Sequence, residues 1–464
     1  MRNSSTEVNH LETKSVGSLL WQYALPAVVG TMVMSLYSVI DRIFIGQSAG
    51  PLAISGLTLT LPVLIMLQAF GMLIGAGAAA RISIFLGQKN REGAEKILGT
   101  SLILTFLITG CSIVVSLIFL KPMLLAFGGS EATIPYAEKF LRIMIPGNIL
   151  AALSFGFNNM MRASGYPTKA MLTMVIGAVA NVILAPVFIF EWGFNLGIEG
   201  AAIATVISMA ISTVWVMSHF MSKRSYLRIR KKHLTLEPAV VWSIISIGLS
   251  PFFMQLAGSL VNVIINMSLK KYGEELGMGA YGGDLAVGAY GINSSLALLL
   301  IMFIVGLNQG AQPIIGYNYG AKKFDRVFEA LKKSIYVATI VCGIGTLFAV
   351  LIPETIVKVF TSDREMIEIA SRGLRIMLSA LFIIGFQGVA TNFFQSIGMA
   401  AKSIFLSLTR QCLLLIPCLL IFPPLFGLTG VWMAMPVSDG LSAILTGIFL
   451  AYQLHEIKEA GLNR

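Results

Sequence analysis

Long apolar runs, separated by short polar or Gly- and Pro-rich stretches, are the dominant pattern along the chain. The runs repeatedly reach the roughly 20 residues that a helix needs to cross a bilayer. The alternating pattern of outer-membrane barrel strands is absent. We therefore predict an all-α, polytopic membrane protein with about twelve transmembrane helices. The predicted spans are residues 19–45, 52–80, 98–120, 140–163, 170–190, 199–221, 241–269, 285–316, 334–352, 374–397, 403–423 and 427–452.

Composition supports this class. Of the 464 residues, 56% are hydrophobic and 12% are charged, whereas soluble domains are about one quarter charged. The formal net charge of +11 is spread over short clusters between apolar runs, so a membrane orientation explains it and a nucleic-acid partner is not expected. The clusters predict that both termini lie in the cytoplasm, in a multi-pass protein of the inner membrane. The polar N-terminus lacks the features of a secretory signal.

The two halves of the chain repeat one another. The segment from Leu52 matches the segment from Leu285 without a gap, and the segment from Asn159 matches the segment from Asn392 at the same offset. The matched positions pair Gly77 with Gly310, Gly87 with Gly320, Lys89 with Lys322, Gly165 with Gly398 and Lys169 with Lys402.

This repeat predicts two pseudo-symmetric six-helix lobes, related by an axis along the membrane normal. We assign residues 1–222 to the N-lobe, 223–238 to a basic cytoplasmic linker and 239–464 to the C-lobe. The basic run at the start of the linker is expected to lie along the inner leaflet, where anionic headgroups attract it. A regulatory role in lipid binding is the alternative.

Asp41 is the first candidate for function, because a carboxylate inside an apolar run is unfavourable in a membrane unless it has a role. Tyr37 lies one helical turn before it and on the same face. The alternative is that Asp41 pairs with Arg42 at the membrane surface, although neighbours in a helix point in different directions.

Asn181 in the fifth span and Thr205 in the sixth are polar residues that we expect beside Asp41 in a cation or proton site. Pro186 removes a helix hydrogen bond close to Asn181 and so frees a backbone carbonyl. Each residue has an alternative role: an interhelical hydrogen bond for Asn181, and a bond to its own helix backbone for Thr205.

Motifs for ATP and metal chemistry are missing. There is no Walker A sequence, no HExxH and no paired-Cys motif, and the four Cys residues all lie in apolar runs. We expect no enzymatic activity and no cofactor, with a proton or Na⁺ gradient as the energy source. No firm metal site is predicted, apart from a possible Na⁺ at Asp41, Asn181 and Thr205.

Substrate contacts are harder to assign. Aromatic and Met side chains suit a pocket for varied lipophilic cations, which makes Tyr37, Phe155 and Met161 candidates. Neutral amides in the C-lobe, at Gln255, Asn262 and Gln387, are candidates for polar contacts or for bonds between helices. Arg410 is expected to extend its side chain to the inner surface.

The chain resembles the multidrug and toxic compound extrusion family, especially its bacterial DinF-like and MepA-like branch. The resemblance covers essentially the whole chain and rests on the order and spacing of SLYSVIDRIFIGQ, the duplicated Gly87 and Gly320 loops, RASGYPTKA, NVILAPVFIF and LGIEGAAIAT. It implies an antiporter that exports cationic amphipathic compounds in exchange for H⁺ or Na⁺ by alternating access. It also implies that the N-lobe cation site contains Asp41, Asn181 and Thr205, with Tyr37 beside it.

One position departs from the family pattern. The family commonly has an acid four residues after the Asn of the fifth span, and this chain has Ala185 there. A single carboxylate suits a proton carrier better than a site for Na⁺, which prefers several oxygen ligands. We therefore favour proton coupling.

Two other functions stay open on sequence alone. A flippase for lipid-linked oligosaccharide, from the same superfamily, would need several cationic residues in its cleft, and the spans offer little beyond Arg42, Arg162 and Arg410. A membrane receptor or scaffold without transport activity is the third candidate. We expect a monomer whose partners are small organic cations and the lipid bilayer.

Overall fold

A computed structural model describes residues 10–127, 133–223, 225–275 and 280–462, and these are largely helical with no strand among them. Within these ranges, the side chains of residues 38, 39, 41–43, 45–56, 58, 59, 280, 281, 284 and 460–462 lie outside the description. Eleven helical segments of this part of the chain are long and apolar enough to cross a membrane, and a pair of helices bent by 48° supplies a twelfth span. The fold prediction is therefore confirmed.

The spans are numbered here in chain order. Spans 1 to 6 are Val16–Tyr37, Thr60–Gly87, Arg91–Ile118, Ile134–Ala163, Pro167–Ile189 and Gly197–Met221. Spans 7 to 12 are Pro238–Glu274, Leu285–Gly320, Phe324–Leu351, the pair Arg364–Met377 with Leu381–Ser396, Ala400–Phe426 and Leu428–Glu459. Shorter helices are Leu120–Ala126, Pro353–Val357 and the 3₁₀ turn Lys231–His233.

Spans 1 and 2 belong to one continuous helix, Val16–Gly87, of 72 residues. A straight helix of that length would extend about 108 Å, at 1.5 Å per residue. Both of its ends nevertheless lie along span 8: the backbone of Gly310 approaches Ala24, and that of Gly320 approaches Ile84. Spans 1 and 2 therefore run in opposite directions, and the helix reverses between Tyr37 and Thr60.

Equivalent backbone turns occur in the two halves. Lys89 and its repeat partner Lys322 both have φ of 59°, a left-handed conformation that is uncommon for residues other than Gly. Gly165 and Gly398 have φ of 103° and 81°. Gly197 and Gly427, which precede or begin spans 6 and 12, have φ of 53° and 59°. The two six-helix lobes are thus pseudo-symmetric down to single turns.

Glycines bring the lobes into backbone contact. A methyl group on Gly87 would lie 1.9 Å from the carbonyl oxygen of Tyr317, and one on Gly320 would lie 2.2 Å from that of Ile84. Tyr317 and Ile84 are themselves repeat partners, so the two contacts are related by the pseudo-two-fold axis. Only a residue without a Cβ permits this approach.

The same end of the bundle carries most of the basic loops, and we call it the basic face. It is defined by the turns 88–90 and 321–323 together with residues 10–15 and 225–237. The residues that precede the first span of each lobe are called lead-ins here. At the basic face, each lead-in contacts the other lobe.

The N-terminal lead-in, residues 10–15, binds the C-lobe. Glu12 forms an ion pair with Lys323, with Oε1 and Nζ 2.8 Å apart. The hydrogen bond from Lys323 is the main reason that the pKa of Glu12 is lowered, so the pair is ionised at neutral pH. Arg326 donates through Nη2 to the carbonyl oxygens of Leu11 and Lys14, at 3.1 and 2.6 Å.

The second lead-in, residues 225–237, binds span 3 of the N-lobe. The carboxylate of Glu95 is buried there and lies 3.0 Å from Arg230, 3.3 Å from Arg91 and 3.8 Å from His233. Thr100 donates to the carbonyl oxygen of Thr235 at 2.9 Å. Part of the basic linker is thus held by an acidic side chain of the N-lobe, and its position along the inner leaflet stays a prediction.

Candidate functional site

The structure joins Asn181 and Thr205 across spans 5 and 6. The Asn181 amide Nδ2 donates to Thr205 Oγ1 at 3.0 Å, and Thr205 Oγ1 donates in turn to the carbonyl oxygen of Ala201 at 2.9 Å. Both side chains are buried, with 2% and 6% of their surface exposed. Both alternatives considered for these residues, the interhelical bond and the bond to the own helix, are present at once.

Local backbone features position this pair. Gly197 adopts the left-handed conformation at the start of span 6, so the chain turns sharply after span 5 and the two helices pack side by side. Pro186 lies inside span 5, about one turn beyond Asn181. Ala185, at the position where the family often has an acid, is fully buried against the N-lobe core.

Asp41 lies in the helix Val16–Gly87, and its side chain is outside the described part of the structure. Its predicted contact with Asn181 and Thr205 therefore stays a prediction. Tyr37, one turn earlier, is half-buried.

The other predicted substrate residues occupy different environments. Asn262 is exposed and accepts a hydrogen bond from the hydroxyl of Tyr290 at 3.1 Å. Phe155 and Gln255 are half-buried. Met161 is fully buried in the core that spans both lobes. Gln387 is buried and donates to Ser442 on span 12.

A charged pair that the sequence had not linked lies in the C-lobe. Arg410 on span 11 and Asp439 on span 12 form an ion pair with Nε and Oδ1 2.7 Å apart. The expected extension of Arg410 to the inner surface is wrong, because the guanidinium turns to this carboxylate instead. Asp439 lies in the run MPVSDGLSAILTG, and the rule that singled out Asp41 would also have found it.

Asp439 belongs to a polar stripe on span 12. Ser438, Ser442 and Thr446 are all buried on the same helix, and Ser438 donates to the carbonyl oxygen of Arg410 at 3.0 Å. The stripe faces spans 10 and 11, since Gln387 and Arg410 are its partners. The C-lobe interior is therefore polar at this depth, although its sequence had suggested neutral amides alone.

Arg162 is a buried arginine, with 1% of its surface exposed. It donates to the amide oxygens of Asn158 and Asn159 in its own lobe, at 3.0 and 3.2 Å, and to Gln309 of the C-lobe at 2.9 Å. This residue links the lobes through neutral partners.

Among the described side chains, no group of three or more His, Cys, Asp or Glu residues could hold a metal ion. The polar clusters of the two lobes contain amides, hydroxyls and one ion pair. The oxygen atoms of such groups can accept hydrogen bonds from, or coordinate, a cation.

The MatE family model matches residues 26–187 and 252–421, one range in each lobe. The chain belongs to the multidrug and toxic compound extrusion family, MatE. The predicted resemblance is therefore confirmed, and the family is one of transporters. The internal repeat explains why the family model matches twice, because each matched range falls within one half of the chain.

Relatives of this MatE protein include two named Multidrug export protein MepA. That of Staphylococcus aureus (strain MSSA476) is 28% identical over 452 residues, which cover 97% of this chain and 96% of the relative. That of Staphylococcus haemolyticus (strain JCSC1435) is 27% identical over 445 residues, which cover 96% and 95%. A solved MOP superfamily transporter from Pyrococcus furiosus shares the fold, with a TM-score of 0.89, 22% identity and 99% of each chain covered.

Proposed function

We propose that this protein exports cationic amphipathic compounds across the inner membrane in exchange for protons, with Asp41 as the coupling carboxylate. The observation that carries the proposal is the match of a transporter family to both lobes, together with relatives named multidrug export proteins over nearly the full chain. The protein acts as a monomer, uses an ion gradient in place of a cofactor and keeps its basic face in the cytoplasm.

The two lobes supply the basis for alternating access. They touch at the basic face through Gly87 and Gly320, and a bound substrate between them is carried across as these contacts open and the opposite ends close. In this scheme the basic face is the cytoplasmic gate.

Asp41 exchanges its partner during that cycle. Asn181 and Thr205 form a buried hydrogen-bonded pair in the same lobe, and the Asn181 carbonyl oxygen is free of that bond and can accept from a proton donor or bind a cation. Proton coupling is favoured over Na⁺ because the position of the family's second acid is Ala185, which offers no ligand.

The flippase alternative has less support. Its substrate would need open cationic side chains, and two of the three arginines considered for such a cleft are engaged: Arg162 by amides and Arg410 by Asp439. The third, Arg42, lies outside the described side chains.

Transport into everted membrane vesicles tests the proposal. An imposed pH gradient, acidic inside, should drive accumulation of ethidium by the wild-type protein, and an imposed Na⁺ gradient should drive little. Asp41→Asn should abolish the response, whereas Asp325→Asn, which removes an exposed aspartate at the basic face, should leave it intact. Uphill transport by Asp41→Asn would refute the coupling role.

A further inference from the structure

We propose that Asp439 is a second cation-binding carboxylate, which binds an amidinium or similar N–H group of an organic cation, and that Arg410 occupies it while no substrate is bound. This inference rests on the proposed function, since it adds a site in the C-lobe to an exporter of organic cations. The evidence comes from the burial of the pair, the helix that carries it and its counterpart in the N-lobe.

Asp439 is buried more deeply than Arg410. The side chain of Asp439 is 6% exposed and that of Arg410 is 26% exposed, so the guanidinium is the more accessible member of the ion pair. The Nε–Oδ1 distance of 2.7 Å is that of a strong charge-assisted hydrogen bond. The partner of the Asp439 carboxylate in this conformation is thus a guanidinium, which is an organic cation attached to the same chain.

The helix around Arg410 is irregular. Residues Thr409–Leu415 form a π-helix, and an α-helix with Pro417 in its first turn follows. π-Helical segments are rare and occur frequently at functional sites. The hydroxyl of Ser438 on span 12 donates a hydrogen bond to the carbonyl oxygen of Arg410. Span 12 therefore stabilises the irregular turn as well as the charge of the Arg410 guanidinium. A return of this turn to α-helical register would rotate Arg410 away from Asp439.

The N-lobe has a polar pair on the equivalent helices. Asn181 and Thr205 join spans 5 and 6, as Arg410 and Asp439 join spans 11 and 12. Counted from the equivalent glycines Gly197 and Gly427, Asp439 lies one helical turn farther along its span than the position that matches Thr205. Both helix pairs therefore carry a buried polar contact, and among these four side chains the acid is Asp439 of the C-lobe.

Exchange of one organic cation for another keeps the charge of Asp439 balanced. A substrate amidinium can replace the guanidinium with the same geometry. The Arg410 side chain then moves outward, in the direction in which it is already partly exposed. A substrate amidinium that displaces the guanidinium leaves the Arg410 charge without its partner, so the affinity for substrate is reduced by the cost of that displacement. Removal of the Arg410 charge is therefore expected to strengthen the binding of an organic cation at Asp439.

Binding of DAPI, a fluorescent diamidine, to the purified full-length protein tests the inference. Arg410→Gln removes the tethered charge and retains a hydrogen-bond donor for Asp439, so it should lower the Kd for DAPI about tenfold, a change of about 1.4 kcal/mol. The double variant Arg410→Gln with Asp439→Asn should return to the wild-type Kd. Arg142→Gln is the matched control, because it removes one arginine charge from an exposed pair with Glu138, and its Kd should stay within about twofold of wild type.

A structural salt bridge predicts a different result. In that case Arg410→Gln binds DAPI no more tightly than wild type, and this outcome overturns the inference. An equal gain in the double variant would also overturn it, because the gain would then not depend on Asp439.

A measurement on the wild-type protein covers the case in which Arg410→Gln does not fold. An arginine-selective dicarbonyl reagent should modify Arg410 several-fold faster when the protein is saturated with DAPI, as read by mass spectrometry. An unchanged or slower rate contradicts the exchange. Failure of wild-type transport would count against the proposed function, whereas normal transport with no gain in Arg410→Gln counts only against this site.

Discussion

At the scale of single residues, one hydroxyl holds the N-lobe polar pair together. Thr205 Oγ1 accepts from Asn181 and donates to Ala201, so its position is fixed from two directions. The amide of Asn181 is thereby oriented with its nitrogen toward span 6. The pair is buried and neutral, and under the proposed function it is the partner of the Asp41 carboxylate.

Thr205→Val should damage this arrangement. It keeps the shape of the side chain and removes the acceptor, so the buried amide nitrogen of Asn181 loses its partner, which destabilises the fold by about 1 to 3 kcal/mol. We expect a lower melting temperature and slower ethidium export than in the wild type. Thr205→Ser, which retains the hydroxyl, should stay close to wild type in both measurements. Equal behaviour of the two variants would contradict a role for the hydroxyl.

Sequence patterns predicted single residues unevenly. Asn181 and Thr205 stood out as polar positions in neighbouring spans, and the structure joins them. Arg410 stood out as well, but its partner lies on the next span and in a different turn, and no local pattern specifies how two helices rotate against each other. The role of Asp41 stays a prediction because its side chain is outside the described part of the chain.

At the scale of helices, contacts between the lobes depend on glycine. Gly77 packs on the carbonyl oxygen of Ile244 in span 7, and its repeat partner Gly310 packs on Ala24 in span 1. Together with Gly87 and Gly320 they form two pairs of symmetric, backbone-to-backbone contacts.

Gly87→Ala should disturb the closed basic face. Its methyl group would lie 1.9 Å from the carbonyl oxygen of Tyr317, so the lobes must move apart there. We expect a loss of most ethidium export and a lower melting temperature. Gly258→Ala is the control, since the space around Gly258 on span 7 is open and Ala is the better helix former. An unimpaired Gly87→Ala variant would mean that this contact is not needed in the cycle.

The sequence allowed the twelve spans to be predicted, but it did not predict the break within span 10. Each of the twelve predicted apolar runs corresponds to an observed span. The break of span 10 between Met377 and Leu381 falls in the mostly apolar stretch LRIMLSALFIIG, without Pro or Gly at the break. Its position depends on packing against neighbouring spans, which the hydrophobic pattern does not encode.

At the scale of the whole molecule, the two lead-ins hold the basic face together from both sides. Residues 10–15 belong to the N-terminal half and bind the C-lobe through the ion pair of Glu12 with Lys323. Residues 225–237 precede the C-terminal spans and bind the N-lobe through the ion pair of Arg230 with Glu95. The N-terminal residues and the linker thus both hold the two lobes together at the basic face. The predicted domain boundaries at 222 and 239 stay a prediction, and these contacts cross them.

Glu95→Gln should loosen the second lead-in. Glu95 is the shared acidic partner of Arg91, Arg230 and His233, so its neutralisation weakens all three contacts at once. Trypsin added to everted vesicles should then cut the basic run of the linker several-fold faster than in the wild type and yield two fragments of about half the chain. Glu329→Gln, which breaks an exposed pair with Lys333, should not change the rate. Equal rates for Glu95→Gln and the wild type would contradict the docked linker.

The exchange of lead-ins gives the two halves the relation of partners in a closed dimer. Each half is anchored to the third helix of the other or to the turn that precedes it, as in a two-fold interface where each subunit offers the same surface to its partner. The polarity of the anchors differs, because the lead-in supplies the acid in the pair of Glu12 with Lys323 and the base in the pair of Arg230 with Glu95. Each lead-in therefore matches one lobe and not the other.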